Sequence, residues 1–87
     1  DQWMKARPIE PKELKPGDLI FSGKPADPVK ITHVTMYLGK GDIVEAPQTG
    51  MRVRKISFVK KYGAFLSDVR NGAVIGDRAV YFGTFRE

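Results

Sequence analysis

Two residues in this chain have the types and the spacing to do acid–base chemistry together. His33 is the only histidine, and Glu45 follows it by twelve positions. A carboxylate that accepts a hydrogen bond from one ring nitrogen fixes the tautomer of an imidazole. The other nitrogen is then free to serve a nucleophile. Such a pair is two-thirds of a nucleophilic triad. The third member is missing from the chain, which has no cysteine and no serine in a G-x-S-x-G elbow.

The segment 33–50, HVTMYLGKGDIVEAPQTG, must bring the pair together, and it reads as a β-hairpin. HVTMYLG and DIVEA are strand-like, and Gly39, Lys40 and Gly41 are turn material. A three-residue Gly-Lys-Gly loop sets Leu38 opposite Asp42 and Thr35 opposite Glu45. Because side chains alternate faces, Glu45 then lies diagonal to His33 on one side of the hairpin, roughly 5–8 Å away. Val34, Met36, Val44 and Ala46 fall on the other side, where they are expected to form core.

The surrounding words carry a resemblance. LKPGDLIF at 14–21, the hairpin segment at 33–50 and MRVRKI at 51–56 resemble the NlpC-type cell-wall cysteine peptidases. In that family a Pro-Gly-Asp-Leu turn and strand precedes a His-Val-x-x-Tyr-Leu-Gly strand. His33 matches the catalytic histidine and Glu45 the residue that orients it. The family's nucleophile is a cysteine in an Asp-Cys-Ser-Gly segment that opens a helix, upstream of where this chain begins. Gln2 and Trp3 match the stretch that follows that helix.

The resemblance implies an α+β, papain-like fold. Residues 1–87 would form a single, partial domain, its C-terminal part: mainly a curved antiparallel sheet with one C-terminal helix. It also implies a function, the C-terminal portion of a peptidoglycan hydrolase. The complete enzyme would cut D-glutamyl–diamino acid bonds of wall stem peptides through a cysteine thiolate, with catalytic residues His33 and Glu45 contributed here. The implied partners are a peptidoglycan stem peptide and either a cysteine-bearing N-terminal fragment or a second copy that completes the fold. The implied location is periplasmic or extracellular.

Composition sets bounds on these readings. At 87 residues the chain is one domain at most and buries only about 60–65% of its unfolded surface. A hydrophobic content of 41% with 29% charged residues suits a globular chain. The net charge of +5 favours anionic partners, although the lysines and arginines are dispersed. This supports an alternative from another class, a non-catalytic basic β-barrel that binds an anionic polymer, either wall glycan or nucleic acid. Under the peptidase reading no nucleic acid is expected. One histidine and no cysteine argue against a zinc site, and no glycine-rich loop opens a helix, so neither metal nor cofactor is expected. No run is long enough to span a membrane, and no signal peptide opens the sequence.

Taken in order, residues 1–13 read as an extended lead-in in which Trp3 and Met4 pack. Leu14–Asp18 reads as a type II turn, with Asp18 bonded to turn backbone rather than catalytic. Leu19–Ser22 is a strand and 23–32 a surface connector. MRVRKI is a third strand, with Arg52 and Arg54 on an outer face. Apolar spacing over Ser57–Asn71 predicts a helix, with Ser57 as N-cap and Gly72 past its end. Ala73–Ile75 is short and apolar, Gly76–Asp77 is a turn, and Arg78–Phe85 is a closing strand whose glycine is expected to mark a bulge.

Overall fold

A short antiparallel ladder carries most of the chain. The computed structural model describes residues 6–26, 31–45 and 54–86. The strands are β1 (Arg7–Pro8), β2 (Leu19–Gly23), β3 (Ile31–Gly39), β4 (Asp42–Glu45), β5 (Arg54–Ser57), β6 (Ala73–Ile75) and β7 (Arg78–Thr84). One α-helix, α1 (Phe58–Tyr62), follows β5 directly. Two 3₁₀ turns lie at Pro11–Glu13 and Leu66–Asp68. The sheet order is β1-β7-β2-β3-β4-β5, and β6 also pairs with β7. Every pairing is antiparallel. This matches the expected mainly antiparallel sheet accompanied by one helix, which is shorter than expected. Among the described residues the sheet is open, since β5 does not pair back to β1, unlike the closed barrel of the alternative reading.

The Pro-Gly turn forms as its residue types require. Gly17 adopts φ +98, and the Asp18 N–H donates to the Lys15 carbonyl at 3.0 Å. The Gly17 N–H donates to Tyr37 O and the Tyr37 N–H to Asp18 O, both at 2.8 Å, which docks the turn on β3. Asp18 does more than cap its turn. Its carboxylate is buried and accepts from the Lys15 N–H (2.9 Å), Thr84 Oγ1 (2.6 Å), Arg86 Nε (2.9 Å) and Arg86 Nη2 (2.7 Å). The end of β7 is thus bolted to the start of β2.

The core is built on one face of the sheet. It comprises Ile9, Ile20, Ile43, Phe58, Tyr62, Val80 and Phe82, with Tyr37, Ile56, Leu66 and Val69 packed around it. The Phe58 ring lies 4.6 Å from that of Tyr62 and 6.2 Å from that of Phe82, centroid to centroid.

Three expectations differ from the structure. Val34 and Met36 are not core but remain 37% and 42% exposed, because α1 folds over the opposite face, the one that carries Thr35 and Glu45. Alternation separates two faces and marks the side of Val34, Met36 and Val44 as the more apolar, but it does not encode which side the helix covers; Tyr37 and Ile43, beside His33, Thr35 and Glu45, supply the apolar contacts of the covered face. The helix spans five residues, not fifteen. Ser57 is its N-cap, accepting from the Lys60 N–H at 3.0 Å, but Gly63 adopts the left-handed conformation (φ +78) and ends it. Gly83 marks no bulge; β2 and β7 keep register up to it, and β1 and β7 keep register across Gly83 and Thr84. A Cβ there would meet Ala6 Cβ at 2.9 Å and Phe21 Cε2 at 3.2 Å, so glycine serves close packing. The bulge lies instead between Ser22 and Gly23 on β2, opposite Ile31–His33 of β3. The readings for Trp3 and Met4, for Ala46, for residues 27–30 of the connector and for the 46–53 turn and strand start lie outside the described residues.

Burial pushes the Asp18 carboxyl up, but the hydrogen bonds from Arg86, Thr84 and the Lys15 N–H outweigh it and lower its pKa from 3.8 to about 2. A depressed folded value means that this contribution to stability is complete above about pH 4 and is lost as pH falls toward about 2. Its size is about 2–3 kcal/mol, from roughly 1.4 kcal/mol per pH unit. Urea denaturation of the wild type and D18N should show that gap at pH 6 and a much smaller one at pH 2. A gap independent of pH would contradict the assignment.

Candidate functional site

The β3–β4 hairpin positions His33 and Glu45. Gly39, Lys40 and Gly41 all have positive φ (+104, +56 and +80). Lys40 and Gly41 are the two central residues of the turn, as the right-handed twist of a hairpin favours. The Gly41 N–H donates to the Tyr37 hydroxyl at 3.1 Å, and Gly41 O accepts from the Phe58 N–H at 2.8 Å, tying the turn to β3 and to the start of α1. Asp42 pairs with Gly39 rather than with Leu38, across an irregularity between Tyr37 and Gly39. Beyond it the expected register holds, with Thr35 opposite Glu45. His33 stands opposite Ser22, beside the bulge.

His33 and Glu45 meet on the core-facing side of the sheet. Nε2 of His33 lies 3.5 Å from Oε1 of Glu45. That separation gives charge contact without a well-formed hydrogen bond, and Nε2 is a buried nitrogen with no hydrogen-bond partner among the described residues. The Glu45 side chain is 8% exposed and that of His33 35% exposed, so the carboxylate is covered while the imidazole reaches the surface. The hydroxyls of Ser22 and Thr35, opposite His33 and Glu45 in the ladder, are also buried without a hydrogen-bond partner among the described residues.

Two further residues converge on Glu45. Lys61 of α1 contacts Oε1 through its ammonium group. Arg54 of β5, directly across the ladder from Glu45, brings Nη2 to 3.6 Å from Oε2. Arg54 therefore faces the site, on the same side as core-packed Ile56, and not away from it as expected. The Lys61 hydrogen bond holds the Glu45 carboxyl below its ordinary range, against the opposing effect of burial and with help from the Lys61 and His33 charges.

Lys61 was readable only in part. It lies three residues after Phe58, a spacing that places both on one helix side, but the pattern gives no hint that this side reaches Glu45. The Arg54–Glu45 pairing depends on the length of the link between β4 and β5, which alternation does not encode.

Chemically, the geometry offers an ionised, covered carboxylate aimed at Nε2, which leaves Nδ1 as the nitrogen for a reacting group. The chain itself contains no thiol to occupy that place. Among the described residues no group of three histidine, aspartate or glutamate side chains could hold a metal ion, and no helix is long and apolar enough to cross a membrane.

The sequence profile of the NlpC/P60 family matches residues 1–71. Three relatives illustrate the likeness. The chain is 42% identical over 62 residues to the peptidoglycan endopeptidase RipA of Mycolicibacterium smegmatis, covering 71% of this chain and 12% of that protein. It is 43% identical over 63 residues to the peptidoglycan endopeptidase RipB of Mycobacterium tuberculosis, covering 72% of this chain and 24% of that protein. It is 37% identical over 57 residues to the murein DD-endopeptidase MepH of Escherichia coli K12, covering 66% of this chain and 21% of that protein. The chain thus spans a quarter or less of the length of these relatives. No solved structure matches it significantly.

E45Q keeps the shape of the side chain but leaves the largely covered Lys61 ammonium without its carboxylate. A stability loss of about 1–3 kcal/mol is expected in urea denaturation at neutral pH. An unchanged midpoint would show that the cations do not depend on Glu45.

Proposed function

The chain belongs to the NlpC/P60 family, and from that premise we propose that it is the C-terminal portion of a peptidoglycan hydrolase, a cysteine endopeptidase domain. In this reading His33 is the general acid–base and Glu45 its orienting partner. The observation that carries it is the contact between Nε2 of the sole histidine and a covered, ionised carboxylate, made at the two positions that match the family's motif. The peptidoglycan endopeptidase names of several relatives support the substrate class. A cysteine outside these 87 residues would supply the nucleophile, carried by an upstream fragment or by a second polypeptide.

The chemistry follows from the geometry. With Nε2 directed at Glu45, Nδ1 takes the thiol proton as sulfur attacks the scissile carbonyl carbon. Collapse of the tetrahedral intermediate expels the amine, which receives that proton from His33, and leaves a thioester. Water, deprotonated by the same imidazole, attacks the thioester and releases the acid and the thiol. Glu45 stays ionised throughout and stabilises the imidazolium as it forms. The bond cut in this reading is the D-glutamyl–diamino acid link of a stem peptide. The setting is the cell wall, periplasmic or extracellular.

The test uses the protein purified from its source cells. Denaturing mass spectrometry identifies any cysteine-bearing polypeptide joined to or associated with this chain, and muropeptides are digested with and without thiol alkylation. The expected result is a new free amine on the stem peptide, abolished by alkylation and reduced at least about 1,000-fold by H33A, with a smaller loss for E45Q. Cleavage that survives alkylation or H33A, or no cleavage by a preparation that contains the cysteine, would overturn the proposal.

A further inference from the structure

Helix α1 carries two consecutive lysines with different fates. Lys60 is exposed, while the Lys61 side chain is only 15% exposed. Covering a lysine is unfavourable unless its ammonium gains a partner. Lys61 finds one in Oε1 of Glu45, the same oxygen that lies 3.5 Å from His33 Nε2. Arg54 touches only Oε2, from a side chain that is 71% exposed. The two cations are therefore unequal: Arg54 sits at the solvent edge, whereas Lys61 shares with the imidazole a single carboxylate oxygen.

We propose that Lys61 is a positioning residue for His33, pinning the Glu45 carboxylate through Oε1 and opposing the charged, imidazolium form of the histidine. The proposal rests on the reading of His33 and Glu45 as the acid–base pair. Two effects act in the same direction. The ammonium repels an imidazolium placed on the same oxygen, and it draws off electron density that Glu45 would otherwise offer to Nε2. The charged groups facing the pair among the described residues are Lys61 from α1 and Arg54 from β5; β2 contributes only the neutral Ser22. A histidine that must accept a proton and later release it works best with its proton affinity near the working pH, and a fixed cation beside its carboxylate limits that affinity.

A sole histidine makes the test clean, because its ring carbon-bound protons give one titration curve in NMR spectra of the 87-residue chain. K61M removes the charge and keeps the apolar stem. The expected result is a rise in the His33 midpoint of about 0.5–1 pH unit, with K61R close to wild type. A midpoint that stays put or falls in folded K61M would overturn the proposal, since a purely structural lysine would change stability and not the titration. Should K61M fail to fold, the wild type decides. The Lys61 Cε resonance should step at the His33 midpoint, and a flat trace there would overturn the proposal. The titration needs no nucleophile, so it reads this coupling separately from hydrolysis. Loss of the catalytic reading would appear in the muropeptide digest and leave the titration intact.

Discussion

An ionised carboxylate is costly on the covered face of a sheet unless cations meet it there. Glu45 is 6% exposed, on the same face as Ile20, Ile43 and Phe82, and the surrounding structure is arranged to satisfy it. The register of β3 and β4 brings His33 within 3.5 Å, β5 delivers Arg54, and α1 delivers Lys61. Moving any of these strands by one residue would turn its side chain to the other face. Fold and site are thus coupled. The helix that covers the core with Phe58 and Tyr62 also carries the lysine that keeps the carboxylate charged.

A second buried carboxylate secures the frame at the other end of β2. Asp18 gathers the Pro-Gly turn, Thr84 and both arms of the Arg86 guanidinium into one hydrogen-bonded cluster. Strand β7, which it anchors, lies beyond the family-matched residues 1–71 yet sits inside the sheet, flanked by β2 on one edge and by β1 and β6 on the other. Val80 and Phe82 of this strand are fully buried core. The residues after the matched region therefore belong to the same structural unit as the hairpin that bears His33.

Much of this was legible in the sequence where local stereochemistry decides. The Gly17 turn follows from its proline and glycine and the Ser57 cap from its hydroxyl; the Thr35–Glu45 pairing expected from a three-residue loop is reached instead through a two-residue turn and an irregularity between Tyr37 and Gly39. What escaped depends on tertiary choice. The more apolar face of the hairpin carries Val34 and Met36, yet α1 covers the one with Thr35 and Glu45, a choice that alternation within the hairpin does not encode. The apolar stripe from Phe58 to Val69 runs through Gly63 at helical spacing, yet Gly63 turns left-handed and the remainder becomes a 3₁₀ turn. The convergence of Lys61 and Arg54 on Glu45 requires the packing of α1 and the path between β4 and β5, neither of which is written in spacing.

In the proposed function Glu45 orients His33 through Nε2 and leaves Nδ1 for the reacting group. Nitrogen-15 chemical shifts of the His33 ring, recorded above its titration midpoint, test this directly, since the two neutral tautomers give distinct patterns. The expected result is a proton on Nε2, facing Oε1 of Glu45, with the balance moving toward Nδ1 in E45Q. A neutral ring protonated mainly on Nδ1 in the wild type would contradict it.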